Sequence, residues 1–365
     1  MSFTVTSLVD WAIDEEIGDI VRFEYEDILN ARSGWTLVVP SSPGRFDYWN
    51  RSGTGVRVVD NGYAWAGYTK RVVDNLGTIT ISGNAGICLW ADRIPIPEPL
   101  NLTGPWSTIE AIQITGDAVG VFANLLSQAG GLDNARRNPG AHQIRAVGVS
   151  GLTLSGSWRW SPHMLAAIEE FATATNVKVR TWLPPGDGAA WETSIAVLRE
   201  VPSVVFDRDL GHDVRPIITG EPEGDPEAGT NVYVGGSGEG TERIIRTVTT
   251  TGGARRIERW VEDRSEDTAE LDSAGQAVAD LAAPSLTMEI ASTDTPGMTY
   301  GTDYVVGDVA SIRVGGHGKT SARVARMFAS LGSGGLARTV TVGDGRTSLI
   351  TSDSARRRLG RLEGA

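Results

Sequence analysis

At 365 residues the chain has room for two or three domains, each able to bury its own core. A formal charge of −12 excludes a general nucleic-acid binder, which needs clustered Lys and Arg to neutralise phosphate, and the single cysteine, Cys88, excludes an internal disulfide and a thiolate zinc cage together. No apolar run approaches the ~18 residues of a membrane span, and the start "MSFTVTSLVDWAIDEEIGD" has acids where a leader would have bases, so a soluble protein made without its own export signal is expected.

The first hundred residues carry a β pattern. In "VRFEYE", Val21, Phe23 and Tyr25 fall on one face and Arg22, Glu24 and Glu26 on the other, the period of a half-buried strand. "WTLVV" at 35–39 follows and Pro40 ends it. "VRVV", the Asn61-Gly62 pair and "YAWAGYTKRVV" predict a hairpin, because that dipeptide readily supplies two positive φ values. "TITISG" and "ICLWA" continue the meander as far as "RIPIPEPL" at 93–100, a Pro-rich run that cannot join a central strand and reads as a boundary. Cys88, inside this stretch, is expected to be a small buried apolar residue.

Two helices then interrupt the β pattern. "TGDAVGVFANLLSQAGG" has Thr115 as N-cap, a stripe through Ala118, Val119, Phe122, Leu125, Leu126 and Ala129, and Gly130 as its stop. In "SPHMLAAIEEFATATN", Ser161 caps, Pro162 takes the first helical position, Met164, Leu165, Ile168, Phe171 and Ala172 share a face, and Asn176 ends it. The strand "VKVRTWL" follows at once. After "SVVFDRDL" and the acidic loop "TGEPEGDPEAGT" at 219–230, "TNVYVGG", "RIIRTVTT" and "ARRIERWVED" read as strands, "SAGQAVADLA" at 273–282 as a short helix, and "SLTMEIAS" as a strand. The chain therefore divides into a β module at 1–105, a mixed α/β module at 106–205, a second β module at 206–345 and a C-terminal tail at 346–365. The fold class is mainly β with an α/β insertion.

"GGHGKTSARV" at 315–324 invites a nucleotide reading through Gly318, Lys319 and Thr320. The phosphate-binding loop needs a glycine five positions before Gly318, and that position is Arg313, whose side chain would stand where backbone amides must wrap the phosphates. A Gly-rich hairpin tip between "DVASIRV" and "ARVARMF" is the reading to prefer.

Other chemistry is equally sparse. His142, His163, His212 and His317 are far apart in sequence, and none has zinc-protease spacing. "FDRDLGHD" groups Asp207, Asp209, His212 and Asp213, enough donors for a metal on paper, but a solvated turn after "SVVF" explains it more simply. Glu169 with Glu170, or Glu266 with Asp267, would suit a glycosidase only at a defined separation; adjacent acids on a helix point about 100° apart, so the first pair reads as the wet side of its helix. Eleven tryptophans allow sugar stacking, with Trp158 and Trp160 on one strand face around Arg159, but core or interface packing is the commoner use. No catalytic, cofactor-binding or metal-binding residue is assigned, no cofactor is expected, and the chain is read as a non-enzyme.

The stretch from "RRIERWVEDRSEDTAEL" to "TMEIASTDTPGMTYGTDYVVGDVASIRV" resembles the tail-tip (baseplate) hub proteins of long-tailed bacteriophages. The family's "E-x-W-V/F-x-D" strand leads to a "Y-G-x-D-Y-x-x-G-D-x-V/A" segment, matched here by Tyr300, Gly301, Asp303, Tyr304, Gly307, Asp308 and Val309. "GWTLVVP", the "NGYAWAGY" hairpin, the Pro-rich exit and "ARRNPG" at 135–140 follow the family's order in the first half. The resemblance implies two β-barrel-like tube modules flanking the α/β insertion and three copies closed into a ring at the virion tail tip, assembled in the host cytoplasm. It implies as partners the distal tail protein ring, the C-terminus of the tape measure protein and a tip spike or receptor-binding fibre, with DNA passing through the channel without sequence-specific binding. A tail-associated cell-wall hydrolase or glycan-binding tip is the alternative. Against an added catalytic domain, the chain ends about 35 residues after the hub-like segment, fewer than the ~50 of a small domain.

Overall fold

The computed structural model describes residues 2–91, 111–117, 120, 122, 126, 143–146, 153–159, 164–175, 177–184, 191–207, 213–219, 230–249, 256–263, 265–281, 285–292, 297–313 and 320–343. The chain forms two compact units, the first made of Met1–Val214 and Ile290–Thr341, the second of Arg215–Glu289 and Val342–Ala365.

The first unit opens with β1 (Phe3–Val9), β2 (Ala12–Glu16), β3 (Arg22–Ile28), β4 (Gly34–Pro40), the short helix α1 (Arg45–Trp49), β5 (Gly55–Asp60), β6 (Tyr63–Asp74) and β7 (Thr78–Ala85). A mixed segment follows, with β8 (Ala111–Asp117), β9 (Gln143–Ala146), β10 (Thr153–Arg159), helix α2 (Met164–Thr175), β11 (Val177–Trp182), β12 (Glu192–Val197) and β13 (Glu200–Asp207). Next come β14 (Asp213–Thr219), β15 (Asn231–Gly235), β16 (Ile245–Thr249), β17 (Glu258–Glu262), helix α3 (Thr268–Leu281), β18 (Ser285–Ser292), β19 (Val309–Arg313), β20 (Thr320–Gly332) and β21 (Gly335–Gly343). The chain is mainly β, as its composition of turns and alternating runs predicts.

The main sheet of the first unit has the order β21-β20-β3-β4-β7-β6-β5-β1-β2. Alternation sets its inner face. Phe23, Leu37, Ile79 and Ile81 are fully buried on β3, β4 and β7, each removal from water contributing about 2–3 kcal/mol. Val21, which the pattern puts with Phe23 and Tyr25, lies just before β3 and is half exposed. The β5–β6 hairpin is turned by Asn61 (φ 47°) and Gly62 (φ 90°), both left-handed as the dipeptide requires. A second hairpin, β1–β2, is turned by Asp10 (φ 49°) and Trp11 (φ 67°), a pair with no glycine to announce it. Trp35 lies across two neighbouring strands: a Cβ on Gly67 or on Gly83 would each come within 2.6 Å of its Nε1.

Three expectations are corrected. "ICLWA" is no strand: Gly86–Trp90 is a 3-10 turn that buries Ile87, Cys88 and Trp90. Trp90 Nε1 donates to both Thr181 and Thr193 Oγ1 at 3.1 Å, anchoring the turn to β11 and β12. Thr115 does not cap a helix but pairs Ser155 within the β8–β10 ladder. The helical residues Gly120 and Phe122 follow Asp117, whose Oδ1 accepts the Gly120 N–H at 2.9 Å and so does the capping. The alternation of Tyr304 and Val306 before Gly307-Asp308 predicts a strand with both facing inward; both are buried, yet they lie in a turn segment.

Helix α2 buries Met164, Leu165, Ile168 and Ala172, and β11 runs directly from it, pairing antiparallel with β12. Ser161, Pro162, Phe171's side chain, the Pro-rich run at 93–100, "ARRNPG", most of the acidic loop and the tail at 346–365 lie outside the described residues.

In the second unit β16, β15 and β17 form a sheet in that order, β15 pairing antiparallel with β16 and parallel with β17. Helix α3 covers one face, with Leu271 and Ala279 against Val232 and Val234. Gly275 permits the approach, since a Cβ there would lie 2.7 Å from Val248 Cγ2. The helix is longer than "SAGQAVADLA" suggests because Asp267 Oδ1 accepts the Ala269 N–H at 2.8 Å and starts it earlier.

Candidate functional site

The segment at 297–309, "GMTYGTDYVVGDV", is where its sequence becomes legible as geometry. Tyr300 and Tyr304 are fully buried and meet edge to face at 5.6 Å; Tyr304 also meets Phe206 at 5.3 Å, and Tyr300 meets Tyr63 at 5.6 Å. Gly301 has φ +87°, and a Cβ there would sit 2.1 Å from the Asp60 carbonyl oxygen, so no other residue fits. The turn at Asn61 is clamped from both sides: Asn61 Nδ2 donates to Tyr300 O at 3.1 Å, and Thr302 Oγ1 donates to Asn61 O at 3.2 Å. Asp303 Oδ2 accepts the Thr299 N–H at 2.8 Å. Asp308 Oδ2 accepts the Val305 N–H at 2.9 Å and pairs with Arg199 at 2.5 Å. Gly307 (φ +93°) leaves room for Lys178, whose Cδ would be 2.7 Å from an added Cβ.

Beneath this loop lies a buried charged network. Asp60 is fully buried and accepts from Arg338 Nε at 2.9 Å, from Arg338 Nη2, and from the Tyr25 hydroxyl at 3.2 Å. Asp27 Oδ2 accepts the Tyr63 hydroxyl at 2.6 Å and the Tyr300 hydroxyl at 3.4 Å. From β11, Lys178 Nζ donates to the Val306 carbonyl and Arg180 to the Ala64 carbonyl, with their charges 5.5 Å and 4.4 Å from the centre of the Tyr63 ring. Burial, and then Arg180, brings the Lys178 ammonium down to about 8, while burial pushes the Tyr25, Tyr63 and Tyr300 phenols well above their usual range. Asn30 (φ 55°) completes the junction: its side chain donates to Val177 O at 2.8 Å and accepts from Val179 N at 2.6 Å, standing in for a strand partner of β11. The network joins the first β segment, the mixed segment and the 297–309 loop; it is a lock, with its donors and acceptors turned on one another.

A concavity of about 470 Å³ in the first unit lies between β2 and α1 and is lined by Glu15, Glu16, Asp19, Arg45, Tyr48 and Trp49 among others. Its polar groups are also engaged with one another. Arg45 grips Asp19 with two nitrogens, one at 2.6 Å, and this pairing holds the Asp19 carboxyl below its ordinary range. The Tyr48 hydroxyl donates to Asp14 and lies 2.7 Å from Ser7 Oγ; burial first, then Asp14, pushes it up to about 12.

The residues weighed in the sequence fall elsewhere. Asp207 is buried on β13 and paired with Arg313 at 3.1 Å; Asp213 begins β14; Asp209 and the four histidines lie outside the described residues. Among the described residues no three His, Cys, Asp or Glu side chains converge as a metal site. Glu169 is half-buried rather than on the wet side of α2, and burial raises its carboxyl despite Arg32. Asp267 serves as a helix cap. Cys88 is buried, as expected. Trp35, Trp49, Trp65, Trp90 and Trp191 are core residues, whereas Trp11 and Trp260 are exposed; Trp160 lies outside the described residues. Gly318 and Lys319 do also, but the strands that flank them pair antiparallel from Val309↔Arg323 to Ile312↔Thr320, as a hairpin requires.

The buried ions were the part not singled out from sequence, though a signal exists. Asp60 is in phase with Val56 and Val58 on β5, and Arg338 with Val340 and Val342 on β21, so each puts a charge on an inward-facing register.

Comparison with known proteins gives a consistent result. The family model described as Siphovirus ReqiPepy6 Gp37-like protein matches residues 9–344. The chain resembles the solved tail protein from Neisseria meningitidis MC58, with TM-score 0.58 and 14% identity over 94% of this chain and 97% of that one. It resembles the 43 kDa tail protein of prophage MuSo2 from Shewanella oneidensis, with TM-score 0.57 and 14% identity over 93% and 98%. The prophage tail protein gp18 from Listeria monocytogenes EGD-e gives TM-score 0.54 and 10% identity over 99% and 100%. No curated protein matches. At these identities the likeness is one of fold.

Proposed function

We propose, from the premise that this chain belongs to the Siphovirus ReqiPepy6 Gp37-like protein family, that it is a structural protein of a phage tail and forms the trimeric hub of the tail tip. The observation that carries the reading is the end-to-end agreement of the fold with three solved tail proteins, two of them from prophages, 94% of this chain on 97% of the first. In this reading the β modules at 1–105 and 206–345 act as tube modules on either side of the 106–205 insertion, and residues 346–365 are a tail. Three copies then present six related modules to the distal tail ring and the tape measure C-terminus above, a threefold underside to a spike or fibre, and a channel through which DNA leaves.

The lock at 297–309 supports a structural role, because its tyrosines, carboxylates and cations are spent on holding segments together. Native mass measurement or particle imaging is expected to show a threefold ring; a monomer or a twofold dimer in the assembled tail would overturn the hub. The same reading makes the protein a non-enzyme assembled in the host cytoplasm into the virion tail tip. Incubation with peptidoglycan is expected to release no soluble sugar or peptide above a mock control, and release would replace the structural reading with the hydrolase one.

A further inference from the structure

The sheet face of the second unit opposite α3 carries Tyr233, Thr247, Glu258, Trp260 and Glu262, placed side by side by the register Tyr233↔Thr247 and Tyr233↔Trp260. Trp260 is 49% exposed, the most exposed aromatic ring among the described residues. It is nevertheless held. Its Nε1 donates to Glu262 Oε1 at 2.9 Å, the Arg243 guanidinium lies 5.2 Å from the ring centre, and Gly235 gives it a floor, since a Cβ there would be 2.4 Å from Cζ2. Arg243 also pairs with Glu262, while its Nε is buried without a partner. At the other end Arg256 donates to the Tyr233 hydroxyl at 3.0 Å and to Glu258 at 2.8 Å.

We propose that this face binds a neutral, polyhydroxylated saccharide. A fixed, exposed indole offers its π face to the C–H face of a sugar ring. The planar carboxylates and guanidiniums beside it offer paired acceptors and donors to vicinal hydroxyls. Charge decides the class of ligand. Arg243 and Arg256 balance Glu258 and Glu262, so among the described residues these four give the face no net charge to attract a phosphate, a basic peptide or an acidic one. An apolar protein partner would bury four charges whose hydrogen bonds it could not replace, whereas sugar hydroxyls can. Adjacent strands set the Tyr233 and Trp260 side chains about 5 Å apart, within reach of a single pyranose. The site is independent of the tail-hub reading and stands or falls on its own measurement.

The test applies the purified full chain to an array of neutral, acidic and amino oligosaccharides and titrates the soluble form of each bound glycan by calorimetry. The wild-type chain is expected to retain neutral oligosaccharides. Trp260→Ala should weaken that binding about tenfold, the loss of one stacked ring, while Trp260→Phe keeps most of it and Trp11→Ala, at the other exposed indole, leaves it unchanged. Circular dichroism checks that the variants fold. Should Trp260→Ala not fold, Arg256→Ala, at a side chain 66% exposed, is expected to weaken the same binding and reads the same face. Retention of no neutral glycan by the wild-type chain would overturn the proposal, as would equal binding by the variants. A Trp260→Ala chain that loses subunit mass with no wild-type sugar binding would assign the face to a contact between copies instead.

Discussion

Asp60 and Arg338 form an ion pair with side chains 0% and 4% exposed, contributed by β5 and β21. Removing one partner strands the other in a low-dielectric interior. Arg338→Met should therefore cost about 3–5 kcal/mol in a denaturant titration, and Asp60→Asn combined with Arg338→Met should recover a large part of that loss. Tyr304→Ala removes a fully buried ring and its edge contacts with Tyr300 and Phe206, and should cost on the order of 3 kcal/mol. Lys178 gives the network a pH signature. Its folded value of about 8 lies below the ordinary 10.5, so between them the unfolded chain binds more protons than the folded one and stability rises with pH. The phenols of Tyr25, Tyr63 and Tyr300 act in the opposite direction above their ordinary 10.0, where the unfolded chain loses protons that the folded chain keeps. Denaturation midpoints should therefore climb from about pH 8 to about pH 10 and then fall, and Lys178→Met should abolish the climb while leaving the fall.

At the scale of single elements, glycine positions separate close approach from mere flexibility. On β7, a Cβ at Gly83 would lie 1.9 Å from the Tyr68 carbonyl oxygen and 2.6 Å from Trp35 Nε1, so Gly83→Ala must part β6 from β7. A loss on the order of 3 kcal/mol is expected in thermal or denaturant melts. Gly18 has nothing within 4 Å and no left-handed φ, and Gly18→Ala should be neutral or stabilising by about 0.4–1 kcal/mol. Elements with strong local signals were legible from sequence: the alternation of "RFEYE", the Asn61-Gly62 turn, the apolar stripe of α2 and the strands around "NVYVG" all stand where periodicity puts them. What was not legible depended on distant partners. "ICLW" is an apolar run that reads as one more strand of the meander but curls into a 3-10 turn, where Trp90 finds two threonine hydroxyls on β11 and β12. Thr115 looks like a cap but is taken by the β8 ladder, and the Asp10-Trp11 turn puts a bulky residue at positive φ, which no local preference would suggest. The lock at 297–309 was visible as a pattern of Tyr, Gly and Asp; its reason, the fit of Gly301 against Asp60 and of Gly307 against Lys178, exists only in three dimensions.

For the molecule as a whole, two compact units with separate cores predict more than one unfolding step. Leu8, Ala66, Leu183 and Trp191 cluster in the first, and Val232, Val234, Leu271 and Ala279 in the second. Calorimetry should give a measured enthalpy larger than the van't Hoff value, and Leu271→Ala should lower only the transition belonging to the second unit; a single coincident transition in both chains would show that the units melt together. The pairing of β3 with β20 carries a further consequence, for synthesis. Glu24 and Ser330 are register partners although they stand 306 positions apart. A nascent chain thus leaves the ribosome with the β3 edge open, and its natural cover is made only about 300 residues later, whereas β15 to α3 can close soon after emerging. The first unit is a late closure with a high contact order, and its open edge is the one most exposed to stray strands on neighbouring nascent chains until β20 arrives.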